Sequence, residues 1–174
     1  MLRDAKDPIR SSAYRTGAVV LFGAALVIAG ALAFEHLGGL APCPLCLQQR
    51  YAYYAGVPAL FLALVLIAAE RPKLAALVFL LVAAAFLANA GLGAYHAGVE
   101  WKLWPGPETC AATGVQPLGS GSGGVLGSLS KTRVIRCDEA PWHFLGLSLA
   151  GWNVVASLLL AAGAVSAALK AIRS

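Results

Sequence analysis

The chain has 174 residues, 59% of them hydrophobic and only 12% charged. An ordinary soluble domain carries about 25% charged residues, so a water-facing globule and a disordered chain are both excluded. The net charge is +5, but the 13 Lys and Arg form no basic block interleaved with aromatics, so no nucleic-acid partner is expected.

What remains is an integral membrane protein, and four apolar runs support it. Thr16 to Phe34 is free of charge for 19 residues, enough at about 1.5 Å per residue to cross a hydrocarbon core of roughly 30 Å. A secretory leader is the competing reading of this first run, but its apolar stretch exceeds the usual core of about 7–15 residues, so it is read as a true span. Tyr51 to Ala69 is the second, with Pro58 tolerated as a kink. Leu74 to about Gly98 is the third, interrupted by Asn89, Tyr95 and His96; Phe144 to Leu169 is the fourth. Residues 99–143 hold Pro105, Pro107, Pro117 and the run Gly119–Gly124, and read as an extramembrane loop. The fold class expected is an all-α, four-transmembrane-helix bundle, one membrane domain over 1–174.

Eight of the 13 Lys and Arg (Arg3, Lys6, Arg10, Arg15, Arg71, Lys73, Lys170, Arg173) fall in three short segments at one side of these spans. The positive-inside rule makes that side, with both termini, cytoplasmic. The two outer segments are then about 35–50 and 99–143. Tyr51, Tyr53, Tyr54, Tyr95, Trp101, Trp104 and Trp142 lie near outer span ends, as an interfacial belt does. His36, His96 and His143 read as interfacial polar residues. Asn89 and Asn153 read as interhelical hydrogen-bond partners, and Glu35, at a span edge, as a weak candidate for a proton path.

All four cysteines lie in the outer segments. Cys43 and Cys46 form a Cys-Pro-Leu-Cys element; Cys110 and Cys137 are separated by 26 residues of the long loop. The long-range pair could be a structural staple. The Cys-x-x-Cys could be half of a zinc site completed by Cys110, Cys137 or a histidine, although the second pair is too spread for the usual tight ligand spacing. It could instead be a redox dithiol. Cys46 would sit near a helix N-terminus, whose partial positive charge lowers a thiol pKa. Arg50, four residues on, would share its face and add to that effect, or else is an interfacial arginine snorkelling to the membrane surface. No dinucleotide fingerprint and no haem-attachment Cys-x-x-Cys-His occurs, because Leu47 follows Cys46.

Three segments together resemble the disulfide bond formation protein B (DsbB) family: Ala41-Pro-Cys-Pro-Leu-Cys-Leu-Gln-Gln-Arg50 after Glu35-His-Leu37, Trp104-Pro-Gly-Pro-Glu-Thr-Cys110, and Cys137-Asp-Glu-Ala-Pro-Trp-His-Phe-Leu-Gly-Leu147. The resemblance covers the whole chain. It implies a quinone-dependent thiol oxidase of the bacterial inner membrane, its cysteines facing the periplasm, that reoxidises a thioredoxin-like DsbA-type partner. Maintaining an oxidising periplasm this way is a property of the family rather than something read from these residues. The resemblance further implies that Cys110 forms the mixed disulfide with the partner and releases Cys137. Cys43 then bridges to Cys110, and Cys46 passes electrons to the quinone, most simply ubiquinone, with Arg50 beside its ring. No metal site is implied. A short helix lying on the membrane is expected before Cys137, with Val125–Ile135 as its candidate. Two other readings stand beside this one. A vitamin K epoxide reductase-like enzyme is disfavoured because there the loop pair precedes the Cys-x-x-Cys. A non-catalytic membrane protein carrying metal on its outer thiols is the other.

Overall fold

The computed structural model describes residues 11–39, 42–107, 110, 137–138, 140 and 142–173. The Gly119–Gly124 run and the helix expected at Val125–Ile135 lie outside the described residues, as do Arg3, Lys6, Arg10, Lys131, Arg133 and Arg136.

Four helices account for nearly all of it. Helix α1 (Ser12–His36) starts where Ser11 Oγ accepts the Tyr14 N–H at 3.2 Å, satisfying one of the donors left free at a helix start. Helix α2 (Pro44–Ala68) is capped by Cys43, whose Sγ accepts the Cys46 N–H at 3.2 Å; Pro44 at the first helical position has no N–H to leave unpaired. Helix α3 (Pro72–Glu100) again opens on proline, directly after a tight connection in which Glu70 takes a left-handed φ of 58°. Strands β1 (His143–Phe144) and β2 (Leu147–Ser148) form a minimal antiparallel hairpin, with His143 opposite Ser148 and Phe144 opposite Leu147. Its turn residues Leu145 and Gly146 both have positive φ (52° and 81°), as a two-residue hairpin of this hand requires. Helix α4 (Leu149–Arg173) follows at once.

All four helices are long and apolar enough to cross a membrane. Two begin at different places from the apolar runs. Helix α2 starts seven residues before Tyr51, because Gln49 and Arg50 occupy its first turns with their polar ends bonded inside the protein rather than ending the helix. The fourth helix starts at Leu149, since residues 143–148 are spent on the hairpin.

The helices alternate in direction. Lys170 Nζ, at the end of α4, donates to Thr16 Oγ1 at the start of α1 (2.8 Å). At the opposite end Arg50 pairs with Glu35, and Ser148 Oγ bonds the Glu100 carboxylate. The bundle is filled with small residues, among them Ala13, Ala75, Ala76, Ala164, Ala167, Ala168 and Ala171, with Leu60, Phe79 and Phe86 filling the gaps. Small residues let backbones approach closely where lipid offers no hydrophobic drive. A Cβ built on Gly17 would lie 2.6 Å from Phe79 Cζ, so the α3 ring reaches the α1 backbone because Gly17 has no side chain. The outer surface is lined by Val19, Phe22, Leu81 and Leu159, each more than half exposed. Such a surface suits lipid and not water. The protein is thus a four-helix membrane bundle.

Candidate functional site

The end of the bundle remote from Arg15, Arg71, Lys73, Lys170 and Arg173 gathers all four cysteines. Cys43, Cys110 and Cys137 are buried in one cluster with Leu45 and Val99, and Cys46 packs at its edge. Cys110 and Cys137 are joined as a disulfide. Closing a loop of 27 residues' separation stabilises the fold by about 3.5 kcal/mol on the chain-entropy account. Cys43 and Cys46 are free thiols, with sulfurs 2.8 Å apart.

Cys43 is positioned by backbone. As the cap of α2 it sits where the helix dipole favours negative charge. The donor at Cys46 and, behind it, His96 pull its thiol down to about 5, against the burial that opposes ionisation. The reading that placed the stabilised thiolate on Cys46 is corrected here. Cys43 takes the cap position and collects the donors, whereas Cys46, the third residue of the helix, gives its N–H to Cys43. Arg50 does not complete a thiolate site either: its Nη1 is engaged by the Glu35 carboxylate and its Nη2 donates to the Ala31 carbonyl at 3.5 Å. That pair ties the end of α1 to the start of α2.

His96, expected at the interface, is instead 2% exposed. Its Nε2 lies 3.6 Å from Cys43 Sγ and 3.8 Å from Glu100 Oε1. Its Nδ1 is 2.8 Å from Gln49 Nε2, a donor, so the ring proton resides on Nε2 and faces the sulfur. The Cys137 backbone is also within hydrogen-bond reach of this ring. Gln49 is fixed in turn: its Nε2 also donates to the Leu45 carbonyl (3.3 Å), and its Oε1 accepts from Asn153 Nδ2 at 2.6 Å. Asn153 Oδ1 accepts from Tyr53 OH (2.7 Å) and Asn89 Nδ2 (3.3 Å), and Asn89 also donates to Ser157 Oγ at 3.0 Å. The two asparagines are therefore interhelical partners as expected, but Tyr53 points into the bundle instead of joining the belt. Every buried side-chain N or O among the described residues has a partner. His36 and His143 are exposed.

Two concavities flank the cysteines. One, of about 450 Å³, opens beside Cys46 and Arg50 and is walled by Phe34, Trp142, Phe144 and Trp152. These rings form a chain: Phe34–Trp142 centroids are 5.2 Å apart, Trp142 and Phe144 stack at 5.7 Å, and Phe144–Trp152 lie at 6.1 Å. The hairpin holds the chain in place, with Trp152 Nε1 donating to the Phe144 carbonyl at 3.0 Å. Its lining suits a flat apolar ring that carries a hydrogen-bond acceptor. The other, a cleft of about 680 Å³, has Cys110 and Cys137 in its lining with Val99, Trp104, Pro105 and Pro107. Trp104 is braced by stacking on Tyr95 (6.0 Å) and by donating to the Tyr95 carbonyl at 3.0 Å. A side chain at Gly98 would collide with the Trp104 ring.

The structure gathers at one end of the bundle the four cysteines and Arg50 that the sequence singled out, and places beside them His96, Gln49 and Glu100, which sequence reasoning did not put there. One signal was present: His96 and Glu100 are one helical turn apart, on the same face of the outer end of the third span.

Comparison with known proteins agrees with this arrangement. Residues 14–167 match the family model for the disulfide bond formation protein DsbB. The chain is 33% identical to disulfide bond formation protein B of Aromatoleum aromaticum over 168 residues, covering 90% of this chain and 95% of that protein. It is 34% identical to the Methylococcus capsulatus protein of the same name, covering 82% and 85%, and 34% identical to that of Marinobacter nauticus, covering 79% and 84%. No solved structure matches the chain at comparable significance. The match runs from the first helix to the last and takes in the two cysteine pairs and the helices that carry them, so the chain belongs to the DsbB family of membrane disulfide bond formation proteins.

Proposed function

We propose that this protein reoxidises a periplasmic, thioredoxin-like DsbA-type dithiol and delivers the electrons to a membrane quinone, ubiquinone in the simplest case. The observation that carries this reading is continuity. The Cys110–Cys137 disulfide lines an open cleft and packs against Cys43; Cys43 touches Cys46; and Cys46 faces the aromatic cavity. By the positive-inside rule the basic end of the bundle is cytoplasmic, which turns the cysteine end toward the periplasm of an inner-membrane protein.

The exchange balances sulfur by sulfur. A partner thiolate attacks Cys110, the Cys110–Cys137 bond breaks, and Cys137 leaves as thiolate. Cys137 attacks Cys43, breaking the Cys43–Cys46 bond of the oxidised enzyme and releasing the Cys46 thiolate toward the cavity. The partner's second thiolate closes its own disulfide and frees Cys110. Cys110 then displaces Cys43 from Cys137, restoring the loop pair. The sequence reading assigned the bridge to Cys110. Two points support Cys137 instead: it is the sulfur set free by the first attack, and its backbone sits against the His96 ring that also faces Cys43. A low thiol pKa makes Cys43 a good leaving group in the last step.

Residues lining the cavity fit a quinone: Phe34, Trp142, Phe144 and Trp152 supply flat apolar walls, and Arg50 a donor for a carbonyl oxygen. A quinone held there supplies an acceptor for two electrons and two protons. An acceptor stronger than the partner is needed, because DsbA-type oxidants stand at about −120 mV. Reduced partner mixed with detergent-solubilised protein and quinone is expected to be reoxidised. In Cys137→Ser turnover of reduced partner should stop, because the lone Cys110 thiol offers no disulfide to attack; given oxidised partner, whose disulfide the Cys110 thiolate opens, the adduct should sit on Cys110. An adduct mapped to Cys43, or continued turnover, overturns the assigned order.

A further inference from the structure

Electron transfer leaves one geometric feature of the cysteine end unused. Cys43 Sγ, Cys46 Sγ and a His96 ring nitrogen all lie within 4.8 Å of one another, the one such group of three ligands among the described residues. We propose that the reduced Cys43–Cys46 dithiol and His96 Nε2 together form a binding site for a thiophilic cation of the Zn²⁺ class, and that the cation holds the enzyme in its reduced state. The site requires only that the pair become reduced; its consequence, arrest of turnover, rests on the function proposed above.

Distances support a tetrahedral centre. Metal–sulfur bonds of about 2.3 Å and metal–nitrogen bonds of about 2.0–2.1 Å place neighbouring ligands roughly 3.5–3.8 Å apart. Cys43 Sγ and His96 Nε2 are already at 3.6 Å. The two sulfurs, at 2.8 Å, must separate by about 1 Å, a side-chain rotation at the half-buried Cys46. Cys-x-x-Cys on a first helical turn is a spacing that zinc ligands use, and the third ligand comes from a different helix, which closes the site across α2 and α3. Glu100 Oε1 lies 3.8 Å from Nε2 but outside the group of three converging ligands, so the fourth position falls to water.

Surrounding groups favour the same conclusion. Two thiolates in a buried pocket repel each other and are costly to desolvate; a divalent cation neutralises both. Thiolate and imidazole together select the zinc class over hard cations such as Mg²⁺. The ring is already oriented by Gln49, as metal-bound histidines are oriented through their second nitrogen. Metallation at Nε2 moves the ring proton to Nδ1, and the Gln49 amide meets it by turning its oxygen inward, giving up its present bonds to the Leu45 carbonyl and Asn153. A disulfide offers no thiolate, so the oxidised enzyme has no such site.

Co²⁺ is the probe that reads this directly. The full chain carrying Cys110→Ser and Cys137→Ser, so that only Cys43 and Cys46 can contribute thiolates, is reduced with a phosphine in detergent and titrated with Co²⁺ under nitrogen. One Co²⁺ per chain is expected, with the visible bands of a tetrahedral site and thiolate charge transfer, and Zn²⁺ should displace it. His96→Gln in this background should weaken binding at least about tenfold and change the visible bands. The same protein oxidised at Cys43–Cys46 should give no spectrum, which keeps the test independent of whether His96→Gln folds. Equal affinity in His96→Gln, an octahedral spectrum, or binding by the oxidised protein overturns the proposal. Zn²⁺ should also slow quinone-dependent turnover of the unmodified protein. If the cobalt site forms and its histidine dependence holds while no quinone-dependent turnover exists, the site stands and the electron-transfer reading fails.

Discussion

The two cysteine pairs are built on opposite plans. Cys43 and Cys46 are three residues apart on the first turn of a helix, so the backbone sets their separation, and a cap, a buried histidine and an amide chain set their surroundings. Cys110 and Cys137, far apart in sequence, are joined by their own bond and packed against Cys43, Leu45 and Val99 beside an open cleft. On the proposed function, a pair that meets a protein partner gains from lining an open cleft, and a pair that hands electrons to one fixed place gains from a rigid seat. Thiol exchange in sequence needs one of each, because three sulfurs must line up for every transfer.

The sharpest way to separate the pairs is Cys110→Ser. Reoxidation of the protein partner is expected to fall to background. A small dithiol that reaches Cys43–Cys46 directly should still reduce quinone. Loss of both activities would mean that the loop pair is part of the seat, not a carrier.

Arg50→Ala tests the seat from the quinone side. Losing a charge-assisted hydrogen bond of about 1.5–3 kcal/mol should raise the quinone concentration needed for half-maximal rate by roughly 10–100-fold, with partner affinity unchanged. Unaltered quinone kinetics would remove Arg50 from the site. Because Arg50 also binds Glu35, Glu35→Gln serves as a control that loosens the ion pair but keeps the guanidinium.

The surroundings of Cys43 give a pH signature. Its thiol is lowered to about 5, so the thiolate predominates above that value and is lost as pH falls through it. Ultraviolet thiolate absorbance of the reduced Cys110→Ser/Cys137→Ser protein should be flat between about pH 6 and 8, whereas an ordinary thiol with a pKa of about 8.5 would rise steeply across that range. Replacing His96 by Ala should move the Cys43 transition upward.

The smallest effect is expected in the amide chain behind the seat. Asn89→Leu removes bonds to Asn153 and Ser157 and should cost about 0.6–2 kcal/mol of bundle stability, read from unfolding in detergent or lipid. A comparable loss at Gly17→Val, where Phe79 blocks a larger side chain, should leave the Cys43 transition untouched. If both variants shift that transition equally, the amide chain has no special hold on the site.

Much of this architecture was legible in the chain. Hydropathy gave four spans because a bilayer demands long uncharged runs, and eight of the 13 Lys and Arg sorted to one end while every cysteine sorted to the other. What sequence could not supply was rotation. Helices α2 and α3 are apolar nearly all round, so no polar stripe marks which side faces inward. Tyr53 and His96 lie near span ends and therefore read as belt residues; only the rotation of their helices turns them inward toward Asn153 and Cys43. The thiolate was misplaced for a related reason. Cysteine is an unusual helix cap, and the start of α2 was read from its apolar run at Tyr51 and not from Pro44, the residue that marks the first helical position. Glu35 was flagged only weakly, since its partner Arg50 is 15 positions away on another helix.

The most direct measurement of the central claim is stoichiometric. Purified protein is given reduced partner and a limiting amount of quinone, and disulfide formed and quinone reduced are followed together. One quinone reduced per partner disulfide is expected, with no turnover when quinone is absent and none in Cys46→Ser. Sustained partner oxidation in Cys46→Ser, or a disulfide yield that does not track quinone, would contradict a pathway that ends at Cys46.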